Sequence, residues 1–216
     1  MELVWLGHSC FRMRGKEVTL VTDPPSPATG YSLGRVTADV ITLSHDHPGH
    51  NHVRGVGGEP HVVRGPGEYE IQTVLLTGVR TWHDNERGAR LGRNTAYLIT
   101  IDDVTFCHLG DLGDVLDDKA LDALAGADVL LVPVGGGNTL NAAQATEVVA
   151  QLEPRIIVPM HFATPQHKAG EQPLDPVERF FQEMGIDVPE PQPKLTITPA
   201  SLPAAPQVVL LNIRGG

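Results

Sequence analysis

The amino-acid sequence predicts one α/β domain built from two similar halves over residues 1–216. The first observation is a series of short apolar runs bounded by glycine, proline and aspartate, which is typical of β-strands. The second is helical spacing of apolar residues in three segments of the chain. The third is a weak internal repeat of an aspartate-ended strand followed by another strand. A chain of this length can bury one sizeable core, and nothing in it demands a second domain.

The predicted strands are short apolar runs that recur along most of the chain. They cover residues 18–22, 40–43, 61–63, 74–76, 96–101, 104–107, 129–134 and 156–158. Toward the end of the chain, a proline-rich segment over 189–206 is expected to wrap the surface. A last strand is expected over 208–213.

Three helices are predicted from capping residues and apolar spacing. Asp175 has the features of an N-cap, and the helix after it ends at Gly185. Asn141 and Gln144 form a capping-box pattern that opens a second helix. A shorter helix is expected after Asp117. Helices interspersed with strands favour an α/β architecture.

The internal repeat joins two pairs of segments: 17–23 with 38–43, and 103–111 with 127–132. The gap from Asp23 to Asp39 is 16 residues. The gap from Asp111 to Asp128 is 17 residues. Two halves of this kind suggest a pseudo-twofold arrangement, and the alternative is a chance match of short apolar strings.

Charge and terminal sequence bear on the partners and the cellular location. The net charge of −10 repels phosphate backbones, so we expect no nucleic-acid partner. The first residues lack the pattern of a signal peptide, and apolar runs such as 129–132 are too short to cross a bilayer. Cys10 and Cys107 are expected to be buried, reduced thiols. We therefore expect a cytoplasmic protein without a membrane partner.

Three imidazoles are concentrated directly after the predicted strand 40–43. His45 and His47 are two residues apart, so on an extended chain they point the same way and can share one ion. His50 lies one turn further on and can face a second ion. Two histidines with this spacing are often accidental, but three histidines at one strand end indicate a metal site.

Further candidate ligands stand at the ends of other predicted strands. They are His83, Asp111 and His161. A metal centre on a sheet scaffold is typically assembled from imidazoles and carboxylates at the ends of several strands. The sequence therefore predicts one site at the edge of the sheets.

Other polar residues near these positions have more than one interpretation. His8 either contacts substrate or supports a ligand by hydrogen bonding, and the supporting role is preferred. Asp23 is expected to orient a ligand or support the strand end and not to bind metal, and His108 is expected to face the opposite side of its strand. Three arginines after His83 could clamp an anionic substrate, although a solvated loop is the preferred interpretation: Arg87, Arg90 and Arg93.

Several motifs in order resemble the metallo-β-lactamase superfamily. They are residues 5–9 (WLGHS), 22–24 (TDP), 44–47 (SHDH), 110–113 (GDLG) and 159–161 (PMH). Segments 65–69 and 133–136 are similar to the branch of zinc-dependent hydrolases related to L-ascorbate-6-phosphate lactonase. The resemblance runs from about residue 1 to 165. It implies a four-layer αββα sandwich of two similar halves, with the metal site between the halves at one edge.

The resemblance also implies how the ligands are shared between two ions. The first ion would be held by His45, His47 and His83. The second would be held by His50, Asp111 and His161, with Asp111 bridging. The family pattern has one further ligand, an aspartate, at the position of Gly49. Glycine has no side-chain donor, so the second site is expected to be weakened.

The expected activity is hydrolysis by a metal-bound hydroxide, with Asp111 and His8 as the catalytic residues. The substrate is expected to be an ester, lactone or phosphodiester in a small, possibly anionic metabolite. One or two divalent ions are expected, zinc first, with manganese, iron or nickel as other possibilities. The alternatives are a degenerate member that binds metal or ligand without turnover, and a mononuclear iron sulfur dioxygenase. The sequence does not specify the substrate or the oligomeric state.

Overall fold

The first of two β-sheets is formed mainly by the N-terminal part of the chain. The structure, a computed structural model, describes residues 1–168 and 173–214. The sheet contains β1 (Glu2–Gly7), β2 (Cys10–Arg14), β3 (Thr19–Thr22), β4 (Val40–Leu43), β5 (His61–Arg64) and β12 (Leu195–Thr196). Its strand order is β12-β1-β2-β3-β4-β5. Strands β12 to β3 pair antiparallel, and β3, β4 and β5 pair in parallel.

The second sheet has a matching arrangement. It contains β6 (Gly67–Ile71), β7 (Val74–Trp82), β8 (Arg93–Ile101), β9 (Val104–His108), β10 (Val129–Pro133), β11 (Ile156–Met160) and β13 (Gln207–Val208). Its order is β13-β11-β10-β9-β8-β7-β6. Strands β6 to β9 pair antiparallel, and β9, β10 and β11 pair in parallel. Both sheets therefore change from antiparallel to parallel pairing at an aspartate-ended strand.

The internal repeat corresponds to equivalent hydrogen bonds in the two halves. In the first half, the Thr19 amide donates to the Asp39 carboxylate at 2.8 Å, and the Asp39 amide donates to the Thr19 carbonyl at 2.8 Å. In the second half, Thr105 and Asp128 make the same two bonds at 2.9 and 2.8 Å. The two aspartates therefore anchor corresponding strands, which supports the pseudo-twofold interpretation over a chance match.

Three α-helices lie on the second sheet or on one another. They are α1 (Asp118–Leu124), α2 (Ala142–Leu152) and α3 (Glu178–Met184). Helix α1 contacts β7 and β8, α2 contacts β10, and α3 packs on α2. Within the described residues, no helix has the length and apolar character needed to cross a membrane.

The outer face of the first sheet is covered by loops and two 3-10 turns, Pro27–Thr29 and Val53–Gly55. Val4, Val21 and Ile41 of the sheet form an apolar cluster with loop residues including Val36 and Val56. The layered sandwich predicted from the sequence is confirmed, and 3-10 turns with loops take the position of a helical layer on this side.

A continuous apolar core fills the space between the two sheets. Trp5 and Phe11 from the first sheet and Ile99 and Phe106 from the second belong to one cluster of fully or almost fully buried side chains. Burial of this apolar area is the main driving force that holds the sheets together. Cys10 and Cys107 are buried, free thiols, as predicted.

The predicted strands are all present, but several elements differ in extent. β7 extends past its apolar run because its later residues alternate between buried and less buried positions. β8 begins earlier than its apolar run, with the polar residues Arg93, Asn94 and Thr95. β1, β2 and β6 were not among the predicted strands. The last strand is Gln207–Val208 and not 208–213, and the proline-rich segment contains β12, which pairs with β1.

The helix starts agree with the predicted caps in two cases out of three. The side chains of Asp117 and Asn141 each cap a helix, and Asn141 with Gln144 forms the expected capping box. The N-cap at Asp175 is wrong: α3 begins at Glu178, and the Asp175 carboxylate pairs with the Arg179 guanidinium at 2.6 Å. The glycine stop is confirmed, because Gly185 caps the C-terminus with φ of 67°.

Candidate metal centre

The predicted ligands meet in one cavity at the edge of the two sheets. The contributing positions are the loop after β4 (His45, His47 and His50), the ends of β7 (His83), β9 (Asp111) and β11 (His161), and the β1–β2 turn (His8). The cavity has a volume of about 380 Å³. This volume suits a small molecule, since ligand pockets typically measure about 300–1,000 Å³.

Asp111 lies at the centre of the cluster. Its Oδ2 atom is 3.1 Å from His50 Nε2, 3.4 Å from His83 Nε2 and 3.4 Å from His161 Nε2. His45 Nε2 lies 3.9 Å from the same oxygen. One buried carboxylate oxygen is therefore approached by four ring nitrogens from four different side chains.

Two neighbouring side chains and a glycine hold Asp111 in place. Its amide donates to Asn94 Oδ1 at 3.0 Å, and Ser9 Oγ donates to its Oδ1 at 3.4 Å. Gly110 before it has φ of 58°, and a Cβ there would lie 2.5 Å from both Asn94 Oδ1 and Ser44 Cβ. Glycine is thus required for the chain to turn Asp111 into the site.

Asp23 orients two of the histidines. Its Oδ2 accepts hydrogen bonds from His50 Nδ1 at 2.9 Å and from Ser44 Oγ at 2.5 Å. Ser44 Oγ lies 2.9 Å from His45 Nδ1 and can accept its proton. Both rings are thereby turned so that Nε2 faces Asp111. This carboxylate–histidine arrangement is typical of metal-ligating histidines, and it confirms the orienting role expected for Asp23.

The remaining histidines are positioned by the backbone. His83 Nδ1 lies 3.2 Å from the carbonyl oxygen of Asn138, which leaves Nε2 toward Asp111. His161 has φ of 54°, and its amide donates to the His8 carbonyl at 3.2 Å. His47 is exposed at the rim, and its Nδ1 accepts from the Gly49 amide at 3.2 Å.

The donor set fits a divalent cation. The Nε2 atoms of His45 and His50 and the Nδ1 atoms of His8 and His161 are buried without an aligned hydrogen-bond partner. An unsatisfied buried polar group costs about 1–3 kcal/mol, so such atoms indicate a missing ligand. In the described part of the chain, three groups of side chains have ligand atoms within 4.8 Å of one another: His8–His50–His161, His45–His47–His50 and His45–His83–Asp111. Imidazole and carboxylate donors suit zinc and related ions.

The charges of the metal-free site are arranged around His50. Burial opposes a charge on His50, but Asp111 and Asp23 together raise its pKa to about 10. Burial, followed by the charge of His50, lowers the pKa of His45 to about 3. Burial disfavours the Asp111 carboxylate, yet His161 and His50 hold its pKa well below the usual value. A proton on His50 thus balances the carboxylates, and a bound cation would take over that role.

Six predicted ligands and His8 therefore lie together, although their division between two ions stays a prediction. His47 groups with His45 and His50, whereas His83 groups with His45 and Asp111. His108 is buried and in none of the three ligand groups, and its Nε2 lies 2.8 Å from the Ser9 carbonyl.

Sequence reasoning missed the residues that support the site. Asn94 is fully buried in β8, and its amide donates to Thr81 Oγ1 and the Leu109 carbonyl. A lone asparagine in a strand carries no signal of this role. Ser44 could have been noticed, because a hydroxyl next to His45 is a common hydrogen-bond partner.

Asp84 organises the loop that follows His83. Its carboxylate accepts four backbone N–H groups, from Glu86, Gly88, Arg90 and Leu91, at 2.7–3.0 Å. These bonds, that from Leu91 first, lower the pKa of Asp84 to about 2. Leu91 reaches the metal cavity.

The three arginines after His83 do not form a clamp on the metal cavity. Arg87, Arg90 and Arg93 are exposed, each lines a different depression, and none of them is among the described residues that line the metal cavity. Their placement agrees with the preferred interpretation of a solvated loop.

Comparison with known proteins supports the fold and the family. The family model of the beta-lactamase superfamily domain matches residues 2–161. A protein of Methanopyrus kandleri named a UPF0173 metal-dependent hydrolase is 25% identical over 87% of this chain and 94% of its own. A Thermotoga maritima crystal structure, assigned as a Zn-dependent hydrolase of the metallo-β-lactamase superfamily, is 33% identical and covers 97% of each chain with a TM-score of 0.78.

A more distant structure shares the fold alone. The isothiocyanate hydrolase from Delia radicum gut bacteria is 14% identical, with a TM-score of 0.70 over 92% of this chain and 99% of that one. The sheet topology, the family match and the 33% identity over nearly the whole chain agree. The Methanopyrus kandleri and Thermotoga maritima proteins to which the chain is similar are named metal-dependent and Zn-dependent hydrolases. The chain belongs to the metallo-β-lactamase superfamily.

Proposed function

We propose that this protein is a metal-dependent hydrolase that cleaves an ester, lactone or phosphodiester bond in a small metabolite. The observation that carries the proposal is the position of Asp111 Oδ2, within 3.1–3.9 Å of four imidazole nitrogens beside an open cavity. A divalent cation held there would lower the pKa of a coordinated water to about 7 and polarise the bond to be cleaved.

The side chains of the site have two proposed roles: the histidines would hold the cation, and Asp111 would take part in proton transfer. His45, His83, His50 and His161, whose Nε2 atoms lie 3.1–3.9 Å from Asp111 Oδ2, would hold the cation. Asp111 is the buried carboxylate among these imidazoles, so it would orient the attacking water and accept its proton. Through its hydrogen bonds with His50 and Ser44, Asp23 keeps the rings of His50 and His45 in the tautomer whose Nε2 can bind a cation.

The cavity wall supports a compact substrate with few charges. Besides the histidines and Asp111, it is formed by Asp46, Leu91, Asn138 and Leu174. Lysine and arginine are absent from the described residues that line it. An anionic group on the substrate would therefore be neutralised by the metal and not by a side-chain clamp, which favours esters and lactones over phosphodiesters.

Zinc or manganese is the proposed metal. The donors are imidazoles and one carboxylate, and both cysteines lie outside every candidate group of ligands. Sites of this kind bind zinc well, and manganese accepts the same oxygen and nitrogen donors.

The test is turnover against metal loading, using protein purified without chelator and without a metal-binding tag. A panel of lactones, carboxylic esters and phosphodiesters is assayed for apo, zinc-loaded and manganese-loaded protein. Activity should follow metal content, and Asp111→Asn should lower kcat by at least about 100-fold, in the range typical for loss of a general acid–base group. His61→Ala on exposed β5 is the matched control and should change neither quantity.

Two outcomes would contradict the proposal. Turnover that is independent of metal, or that survives Asp111→Asn, would remove Asp111 from the chemistry. Full metal loading without turnover across the panel would favour the binding-only alternative.

A further inference from the structure

His8 lies where the second group of ligands is short of a side chain. It sits in the turn between β1 and β2 and is only 5% exposed. Its ring centroid is 4.3 Å from that of His161 and 4.9 Å from that of His50. Ligand atoms of these three histidines lie within 4.8 Å of one another. Nitrogens that share one tetrahedral ion at about 2.0–2.1 Å are roughly 3.4 Å apart, so small ring rotations bring all three to one cation.

Gly49 gives the second observation. A Cβ at this position would lie 2.9 Å from His8 Nε2 and 3.1 Å from His47 Nδ1. The imidazole of His8 therefore occupies the space that any side chain at position 49 would enter. Glycine at 49 and histidine at 8 are a complementary pair: the first has no donor, and the second places a donor in the space left.

The backbone of His8 is held in a conformation that few side chains adopt. Its φ is 54°, and its carbonyl accepts hydrogen bonds from Trp5 Nε1 at 2.9 Å and from the His161 amide at 3.2 Å. A left-handed conformation costs a non-glycine residue about 1–2 kcal/mol, so the turn is maintained by these contacts. The hydrogen bond from the His161 amide joins the backbone of His8 to that of His161.

The polar atoms of His8 support a ligand role over a supporting one. Its Nδ1 is buried and has no hydrogen-bond partner among residues 1–168 and 173–214. A residue that only orients a ligand makes a hydrogen bond to it, as Asp23 does with His50 and Ser44 does with His45. Tyr31 packs on the His8 ring with centroids 5.7 Å apart, which limits its rotation.

We propose that His8 is a direct ligand of the second metal ion, together with His50, His161 and Asp111, in place of the side chain that Gly49 lacks. This inference rests on the proposed function insofar as the site must bind metal. It replaces the supporting role expected for His8 from the sequence.

The test uses Co²⁺ alone as the probe, read by metal content and by the visible ligand-field spectrum. His8→Gly suits the positive φ, removes the imidazole and leaves the neighbouring ligands. Wild type should bind two ions, and His8→Gly should weaken the second by on the order of 100-fold, since even an outer-shell contact is worth about 10–100-fold. Millimolar imidazole should restore the second ion and its spectrum. His61→Ala, at an exposed histidine on β5 that is in none of the three ligand groups, is the control.

A double variant tests the complementarity of positions 8 and 49. Gly49→Asp alone should disrupt the site, because its side chain meets the His8 ring. In the His8→Gly background the same aspartate has room, and it should restore binding of the second ion. Thermal unfolding of the apo variants confirms that each is folded.

The outcomes separate this inference from the proposed function. Equal second-ion affinity and an unchanged spectrum in His8→Gly would overturn the His8 assignment while the metal site stands. Binding of no ion by wild type would overturn both. A crystal structure of zinc-loaded wild type needs no variant: it should show zinc about 2.0–2.1 Å from a His8 ring nitrogen, and a His8 ring that makes no bond to zinc would contradict the assignment.

Discussion

The Asp23 carboxylate accepts a hydrogen bond from His50 Nδ1 at 2.9 Å, so the other ring nitrogen of His50 faces Asp111. The same carboxylate oxygen accepts from Ser44 Oγ, which lies 2.9 Å from His45 Nδ1. Asp23 alone, directly after β3, thus orients two candidate ligands. These two ligands belong to different ions in the division of ligands predicted from the sequence.

Replacing Asp23 by asparagine should weaken metal binding without removing a ligand. The carboxylate accepts from His50 Nδ1 and Ser44 Oγ at Oδ2 and from the Ser44 amide at Oδ1, whereas the asparagine amide has one acceptor oxygen and no charge, so it cannot keep all three hydrogen bonds. Metal affinity should fall by about 10–100-fold, as is usual for a lost outer contact of a ligating histidine. Competition with a chromophoric chelator measures the change. Asp122→Asn, at an exposed aspartate on helix α1, is the control, and an equal loss in both variants would contradict the orienting role.

Alanine at Gly110 should disturb the site more than alanine at another left-handed glycine. Gly126 has φ of 84° with no atom within 4 Å of a built Cβ, so Gly126→Ala should cost only the conformational penalty of about 1–2 kcal/mol. Gly110→Ala adds a clash with Asn94 and Ser44 and should also displace Asp111. Equilibrium urea unfolding and metal content measure the two effects. Equal stability and normal metal content in both variants would show that the tight approach at Gly110 is unimportant.

Asp84→Asn should loosen the loop over residues 86–91 while leaving the metal ligands in place. The amide accepts with one oxygen only, so hydrogen bonds from the loop backbone are lost. Hydrogen exchange of these amides should accelerate, and KM should rise because Leu91 lines the cavity. Asp114→Asn, whose carboxylate accepts from only the next amide, is the control. Unchanged exchange in Asp84→Asn would contradict this role.

Protection of the same loop should also depend on pH. The folded pKa of Asp84 is lowered to about 2, so its contribution to stability is complete above the unfolded pKa near 3.8. It is lost as the pH falls through about 2. Exchange of the loop amides, corrected for intrinsic rates, should therefore stay slow at pH 4 and increase only in strong acid. Loss of protection already between pH 6 and 5 would assign the loop to another group.

Removal of metal should lower the thermal stability. A ligand that binds only the folded state stabilises it by RT ln(1 + [L]/Kd), about 2.7 kcal/mol at a free concentration of 100 Kd. The buried Nε2 of His45, which has no hydrogen-bond partner among the described residues, explains why the apo site gains from an ion. Scanning calorimetry at increasing zinc should show a rising Tm in wild type and a smaller rise in Asp111→Asn. Identical curves for the two proteins would place zinc elsewhere.

The sequence predicted the site well where local chemistry and strand direction coincide. His45 and His161 follow strands that are parallel to their neighbours, so the rule that strand ends meet at one edge brings them together. β6 was missed because its alternating, partly polar residues lie at a sheet edge. The Asn94–Asp111 and His8–Gly49 contacts are tertiary, and no spacing in the sequence reports them. Asp175 failed as a cap because its carboxylate pairs with Arg179.

The most direct test of the metal centre is the metal content per chain, measured by mass spectrometry on protein purified without chelator or metal-binding tag. Wild type should carry one or two divalent ions, and Asp111→Asn should lose at least one of them, because four imidazole nitrogens converge on that carboxylate. Wild type without bound metal, even after incubation with zinc or manganese, would contradict the central claim.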